Sequence, residues 1–224
     1  ASLVCQFTIS VGPNGELLVP ALRDINNAPT KWVETAPFIW HNANGHGRLA
    51  AQVVDGKVVR WSMDGLSPFM VFDRAPASKS AAWIKPAFFA GFAVLLLTFL
   101  QWPVSALIRR NYKAPLTLSR RSLLAYRGVR VASGLVIALT TAWLVSLSTL
   151  KAIPSFDPWL WFLQISGLIV FVGGVLIALW NLRIVRKEKR GWFRTLWAVL
   201  VLLAMLLALH IAWTFGLIAM TVNY

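Results

Sequence analysis

The chain has 224 residues, of which 58% are hydrophobic and 13% charged, and it contains 12 tryptophans. This composition does not give a water-soluble surface, so it excludes an ordinary soluble domain. The formal net charge is +14, but residues 1–83 are close to neutral and the basic excess lies in residues 84–224. That position places the charge beside membrane spans and argues against a nucleic-acid partner. Cys5 is the only cysteine, which excludes an internal disulfide and a multi-thiolate metal site.

Residues 1–75 predict an extracytoplasmic antiparallel β-domain of five or six strands. Apolar and polar residues alternate over residues 3–11, which is the period of a strand with one buried face. Asp55 and Gly56 fit a two-residue hairpin turn. The remaining predicted strands are 16–20, 31–40, 48–54, 57–63 and 68–72, with a Gly/Asn-rich loop at 41–47 and a linker at 76–83.

Residues 84–224 contain four uncharged apolar stretches, at about 86–108, 131–150, 158–182 and 195–222. Each is long enough to cross a hydrocarbon core of about 30 Å at 1.5 Å per residue. Tryptophans cluster near the ends of these stretches, as in an interfacial aromatic belt. The predicted fold class is therefore an α+β membrane protein, with a small antiparallel β-domain followed by a four-helix transmembrane bundle.

Lysine and arginine in the connecting loops predict the orientation of the spans. Both basic loops are expected in the cytoplasm, where they contact anionic lipid headgroups. The N-terminal domain then faces the other side of an inner membrane, which is the periplasm in a Gram-negative source. The basic residues are Arg109, Arg110, Lys113, Arg120, Arg121, Arg127 and Arg130 in the first loop, and Arg183, Arg186, Lys187, Lys189, Arg190 and Arg194 in the second.

An exported domain ahead of the first span needs an upstream element that directs it across the membrane. Ala1 begins directly in a predicted strand, without a leader segment. We therefore expect a longer precursor. A cleaved signal peptide or an upstream exported domain would each meet the requirement, and the strand at the start favours the second.

The sequence assigns no catalytic, metal or cofactor residues. It has no Gly-x-Ser-x-Gly elbow, phosphate loop or His-Glu-x-x-His motif. His41 and His46 share a loop that is expected to be solvated. His210 lies within the fourth span, where an ionisable group is costly and usually has a structural or functional role. We expect it to form a buried polar pair with Gln164, and proton or substrate handling is the alternative.

Small residues recur at every fourth position on two spans. Such stripes let helix backbones approach closely. They predict packing within the bundle, with a dimer seam as the alternative. The stripe on the second span is Gly134, Ala138, Ala142 and Ser146, and that on the fourth is Ala204, Ala208, Ala212 and Gly216.

Four segments of the β-domain carry a family resemblance: residues 32–40 (WVETAPFIW), 47–50 (GRLA), 55–58 (DGKV) and 68–76 (PFMVFDRAP). They resemble the region that follows the catalytic domain in membrane-anchored serine hydrolases of the beta-lactamase and penicillin-binding-protein-like superfamily. In that family several C-terminal spans follow such a β-rich segment. The resemblance implies an exported hydrolase of amide or ester bonds, whose nucleophile, lysine and tyrosine all belong to an upstream domain.

On this interpretation the chain is the membrane anchor and accessory β-domain of the hydrolase and is not catalytic itself. One alternative is an accessory subunit of a larger membrane complex, a homo- or hetero-oligomer that binds partners through the small-residue stripes. A small transporter is a further alternative. It needs broken helices or buried carboxylates along a route, and the sequence predicts neither.

Overall fold

The structure is a computed structural model that describes residues 6, 8–12, 16–23, 27–64, 71–113, 118–149, 157–189 and 191–220. The chain divides into two compact units, Ala1–Ala81 and Ala82–Tyr224. The first contains an antiparallel sheet, and the second contains four helices long and apolar enough to cross a membrane. The predicted α+β class with a four-helix bundle is confirmed.

The sheet has seven strands in the order β1 to β7, each antiparallel to its neighbours in sequence. A meander of this kind is built from local hairpins, so each strand pairs with the next one along the chain. The strands are β1 Ser10–Val11, β2 Leu17–Leu18, β3 Trp32–Ala36, β4 Ile39–Asn42, β5 Arg48–Val54, β6 Lys57–Met63 and β7 Val71–Asp73.

The predicted strand at residues 31–40 is wrong as a single element, because the chain turns within it. Phe38 has a φ of 63°, a left-handed conformation that interrupts an extended strand. Pro37 precedes it and has no N–H to donate to a ladder. The result is the hairpin of β3 and β4, which accounts for the seventh strand. Parts of the predicted strands at 3–11 and 68–72 lie outside the described residues.

One face of the sheet, the inner face, contains its core. Leu17, Val19, Trp32 and Leu49 are buried there. Trp61 stacks on Phe72 of the neighbouring strand, with 4.4 Å between ring centroids. Leu49 lies opposite Trp40 on one side and Met63 on the other, and directly opposite residues share a face of a sheet. The core is therefore small and depends on a few large side chains.

The hairpin of β5 and β6 turns at Asp55 and Gly56, as predicted. Their φ angles are 51° and 71°, and Val54 pairs with Lys57 across the turn. Two left-handed residues in a two-residue loop are the signature of a type I′ turn, which matches the twist of the flanking strands.

Replacing Gly56 with valine is expected to cost about 1–2 kcal/mol, because a side chain at a left-handed position meets the following carbonyl oxygen. Open space surrounds this glycine within 4 Å of an added Cβ, so the cost is conformational rather than a clash. Hydrogen exchange of the β5 and β6 amides in the full chain measures it. Asp55→Asn keeps the turn preference and is the control. Equal protection in the G56V and wild-type chains would contradict the prediction.

The helices are α1 Ala81–Tyr112, α2 Arg120–Thr149, α3 Asp157–Lys187 and α4 Trp192–Thr214. Each of them extends beyond its predicted apolar stretch into a basic flank, since arginine and lysine are good helix formers. The predicted linker at 76–83 is shorter than expected. A short 3₁₀ helix occupies Ala77–Lys79, and α1 begins at Ala81.

Helix α4 ends eight residues before the predicted boundary at 222. Gly216 has a φ of 71°, and the Leu217 N–H donates to the carbonyl of Ala212 at 2.8 Å. The Gly216 N–H donates to the carbonyl of Trp213 at 3.2 Å. These two bonds form a Schellman motif, in which a left-handed glycine stops the helix.

Within the bundle, α3 packs against both α2 and α4. Gly174 of α3 marks the closest approach, because a Cβ added there would lie 3.0 Å from Met205 Sδ and 3.7 Å from Val136. Helix α1 contacts α4 at Gly91, where an added Cβ would lie 3.7 Å from Ala204. Close backbones of this kind are the usual basis of helix association in lipid.

Candidate functional site

The two basic loops lie at the same end of the bundle. Glu188, just after α3, accepts hydrogen bonds from the hydroxyls of Ser122 and Ser119. Ser119 precedes α2, and its Oγ accepts the Ser122 N–H at 3.3 Å, which is an N-cap bond. A carboxylate at a helix N-terminus is favourable there and offsets Arg120 and Arg121 in the same turn.

A cavity of about 590 Å³ opens between the four helices at this end. We call it the arginine cavity, because Arg109, Arg130 and Arg194 line it. Among the described residues, its lining includes no Asp or Glu. The other lining residues are Thr98, Gln101, Ser105, Leu118, Tyr126, Val129, Asn181, Val185, Phe193, Trp197, Ala198 and Val201.

Arg130 is held against Tyr126, one helical turn earlier on α2. The centre of its guanidinium lies 3.4 Å from the centroid of the tyrosine ring, a close cation–π contact. One terminal nitrogen donates to the Tyr126 carbonyl at 3.0 Å. The Arg130 Nε is buried and has no hydrogen-bond partner among the residues that the structure describes. The Tyr126 hydroxyl lies beside Arg109 and Ser105 of α1.

The inner end of the cavity is formed by a hydrogen bond between α1 and α4. Trp197 Nε1 donates to Thr98 Oγ1 at 3.1 Å, and that hydroxyl donates to the Val94 carbonyl at 2.7 Å. Thr98 is buried. Arg130 lies ten residues after the start of α2, which is about 15 Å at 1.5 Å per residue. The cavity thus reaches well inside the helical part of the bundle.

The predicted basic residues fall into two groups. Arg109, Arg130 and Arg194 line the arginine cavity, and of these Arg194 is also exposed. The others are exposed at helix ends and turns: Arg110, Lys113, Arg120, Arg121, Arg127, Arg183, Arg186, Lys187 and Lys189. Arg190 lies outside the described residues.

The small-residue stripes are only partly turned toward neighbouring helices. Ala204 and Ala212 are buried on α4, and Ala208 packs against the same core. On α2, Ser146 is buried and accepts a bond from Trp159 Nε1 at 2.9 Å. Ala142 packs against the core, and a Cβ at Gly134 would meet the Phe99 ring at 2.7 Å. Ala138 is exposed.

Gly216 does not belong to a packing stripe. It lies after the end of α4, is exposed, and serves as the left-handed residue that ends the helix. Gly216 follows Ala212 by four residues, as the stripe requires. A four-residue spacing places side chains on one face only within a helix, and α4 ends at Thr214. The prediction of Gly216 as a packing residue is corrected accordingly.

The predicted buried pair of His210 and Gln164 is also wrong, because only Gln164 is buried. His210 is exposed and its ring lies 5.8 Å from that of Trp83. The buried face of α4 carries Ala204, Met205 and Ala212, and His210 lies on the opposite side of that helix. It borders an apolar groove of about 360 Å³ with Leu168, Val172, Leu206, Leu209, Trp213 and Ile218.

The outer face of the sheet carries a row of mostly apolar residues across four strands. Ile39 lies opposite Ala50, Ala50 opposite Ser62, and Ser62 opposite Val71. Ile39 and Val71 are 39% and 45% exposed. We call these four residues the outer row. The next row on the same face is polar, and in it Arg60 bonds to Asp73 at 2.8 Å.

Within the described part of the chain, no group of three or more His, Cys, Asp or Glu residues is placed to hold a metal ion. Ser148 and Lys151 have the Ser-x-x-Lys spacing that penicillin-recognising hydrolases use. Lys151 lies outside the described residues, so no geometry supports a catalytic role for the pair. No protein-family model matches the chain, and no match is found among curated proteins or solved structures.

Proposed function

We propose that this chain is the non-catalytic anchor and accessory β-domain of an exported serine hydrolase of the beta-lactamase and penicillin-binding-protein-like kind. The four helices hold the module in an inner membrane, the basic loops face the cytoplasm, and the sheet lies outside it. The loop charges support this orientation, because lysine and arginine are retained on the cytoplasmic side.

The observation that carries the accessory role is the outer row of the sheet. A sheet is stable when each apolar face is covered by a second layer. The inner face has its core, yet Ile39 and Val71 remain exposed on the outer face. We propose that the catalytic domain of the hydrolase covers this row, which fixes the enzyme at the membrane and raises its concentration near substrates there.

Where the structure describes them, the segments that resemble the hydrolase family contain strands, a turn and core residues. Trp32 and Leu49 are buried, and Asp55-Gly56 is the hairpin turn. A β-rich segment ahead of several spans is the layout that the resemblance implies, and this layout supports the proposal.

The test is purification of the protein from its native membrane, labelling with a fluorophosphonate or penicillin probe, and measurement of intact masses. We expect a labelled polypeptide that contains this sequence or co-purifies with it. If no labelled species accompanies the chain, the hydrolase proposal fails and the accessory-subunit alternative takes its place.

A matched pair of variants tests the outer row in the same preparation. After limited proteolysis between the domains, the labelled fragment is expected to stay with the wild-type chain and to be released from Ile39→Lys/Val71→Lys. Gln52→Lys adds a charge to the polar row of the same face and is expected to retain the fragment. Release from both variants alike would exclude the outer row as the contact.

A further inference from the structure

The arginine cavity brings together positive charge that the described residues do not neutralise. Arg109, Arg130 and Arg194 come from three different helices and line one space. Like charges that share a site disfavour one another. Glu188, the acidic residue at this end of the bundle, bonds to Ser122 and Ser119. An anion within the cavity would relieve the repulsion.

Arg130 supplies the most specific indication. Its contact with Tyr126 fixes the guanidinium in place, and its Nε is buried with no acceptor among the described residues. A cationic N–H that is removed from water without an acceptor costs free energy. The Tyr126 contact holds the rest of the guanidinium at the lining of the cavity, so that donation to an anionic oxygen there needs no rotamer search.

The lining favours an amphiphile. The arginines, Asn181 and Gln101 supply polar donors, while Val129, Val185, Val201 and Phe193 supply apolar walls in the same cavity. At about 590 Å³, the space is several times larger than a phosphate group. A headgroup with its glycerol and the first carbons of its chains uses both kinds of wall.

We propose that the arginine cavity binds the phosphate of an anionic lipid headgroup, a binding site that goes beyond the anchoring function. Guanidinium groups bind phosphate through paired, charge-assisted hydrogen bonds. Basic pockets between membrane helices on the cytoplasmic side are suited to such headgroups. Arg130 and Arg109 bind the phosphate oxygens, and Tyr126 acts as a positioning residue that holds both arginines.

The experiment uses the full chain in dodecyl maltoside and follows its melting temperature as lipid is added. Phosphatidylglycerol is compared with phosphatidylcholine and with inorganic phosphate. The variants are Arg130→Gln and Arg109→Gln. Their controls are Arg127→Gln and Arg110→Gln, exposed residues of the same helices that lie outside the cavity lining. Each control removes the same charge as its partner variant.

We expect phosphatidylglycerol to raise the melting temperature of the wild type more than phosphatidylcholine does. R130Q and R109Q weaken its apparent affinity about tenfold or more, as loss of a hydrogen bond to a charged group does. R127Q and R110Q stay within about twofold of wild type, since peripheral attraction is weak and screened. The two arginines are tested in separate variants. If one variant misfolds, the affinity of the other for phosphatidylglycerol still tests the proposal.

Inorganic phosphate distinguishes the two possible ligands that carry a phosphate group, a lipid headgroup and a free phosphate. If it reproduces the stabilisation with the same dependence on Arg130, the phosphate site stands and its ligand is a free phosphate. If the two phospholipids stabilise the chain equally, or if R130Q and R127Q lose affinity equally, the proposal is overturned. The first result excludes headgroup recognition, and the second indicates a diffuse attraction to the basic surface.

Discussion

Replacing Leu49 with alanine is expected to destabilise the sheet by about 2–5 kcal/mol, the range for truncating a buried leucine. Leu49 is 1% exposed and lies between Trp40 and Met63 on neighbouring strands. Among the described residues of this unit, the fully buried part of the core contains only Leu17, Val19 and Trp32 besides, so a cavity at Leu49 removes a large share of it. A loss of this size is a large part of the stability of a small domain.

Hydrogen exchange of strands β3 to β6 in the full chain measures the effect without separating the units. Val54→Ala is the matched control, because Val54 lies on the same strand and is 48% exposed. It is expected to change the stability by no more than about 0.5 kcal/mol. Equal loss of protection in L49A and V54A would show that the sheet does not depend on the inner core.

The second large effect is expected in the bundle, where Gly174→Leu should cost about 1–3 kcal/mol by overpacking. An added Cβ would already lie 3.0 Å from Met205 Sδ, and the rest of a leucine side chain has no room between α2 and α4. Either the buried Met205 side chain is displaced or the helices move apart, and both disturb the close packing that holds them together in lipid. The melting temperature of the full chain in detergent is expected to fall.

Gly173→Leu is a close control, since it makes the same change one residue earlier on the same helix. An added Cβ at Gly173 meets nothing within 4 Å. Both substitutions improve helix propensity equally, so the difference between the two melting temperatures isolates packing. If G173L and G174L melt at the same temperature, the close approach of α3 to its neighbours is not a source of stability.

Local chemistry explains which parts of the fold were predictable. Strands β5 and β6 begin and end at the predicted residues, because the Asp-Gly turn fixes where β5 ends and where β6 begins. The apolar stretches revealed four helices, because their length in a membrane is set by the thickness of the hydrocarbon core. The predicted end of α4 was wrong because the uncharged apolar stretch continues to residue 222, whereas the left-handed backbone of Gly216 stops the helix before that.

The arginine cavity was not predicted, because its residues come from four helices that are far apart in sequence. The loop arginines were assigned to topology and to contact with anionic lipid headgroups, roles that require no particular side-chain position. A usable signal was present at Tyr126 and Arg130, whose spacing of four residues places them together on one helix face. The prediction for His210 was wrong because a histidine within a span suggested burial. Its position around α4 instead places it on the exposed side of that helix.

The bonds made by Gln6 give the β-domain a mechanical property. The Gln6 side chain donates to the Lys79 carbonyl and accepts the Ala81 N–H, each at 2.7 Å. These bonds join points more than seventy residues apart along the chain. Tension applied between residue 6 and α1 is therefore carried first by two short side-chain links, and strands β1 to β7 lie off the load path until those links break.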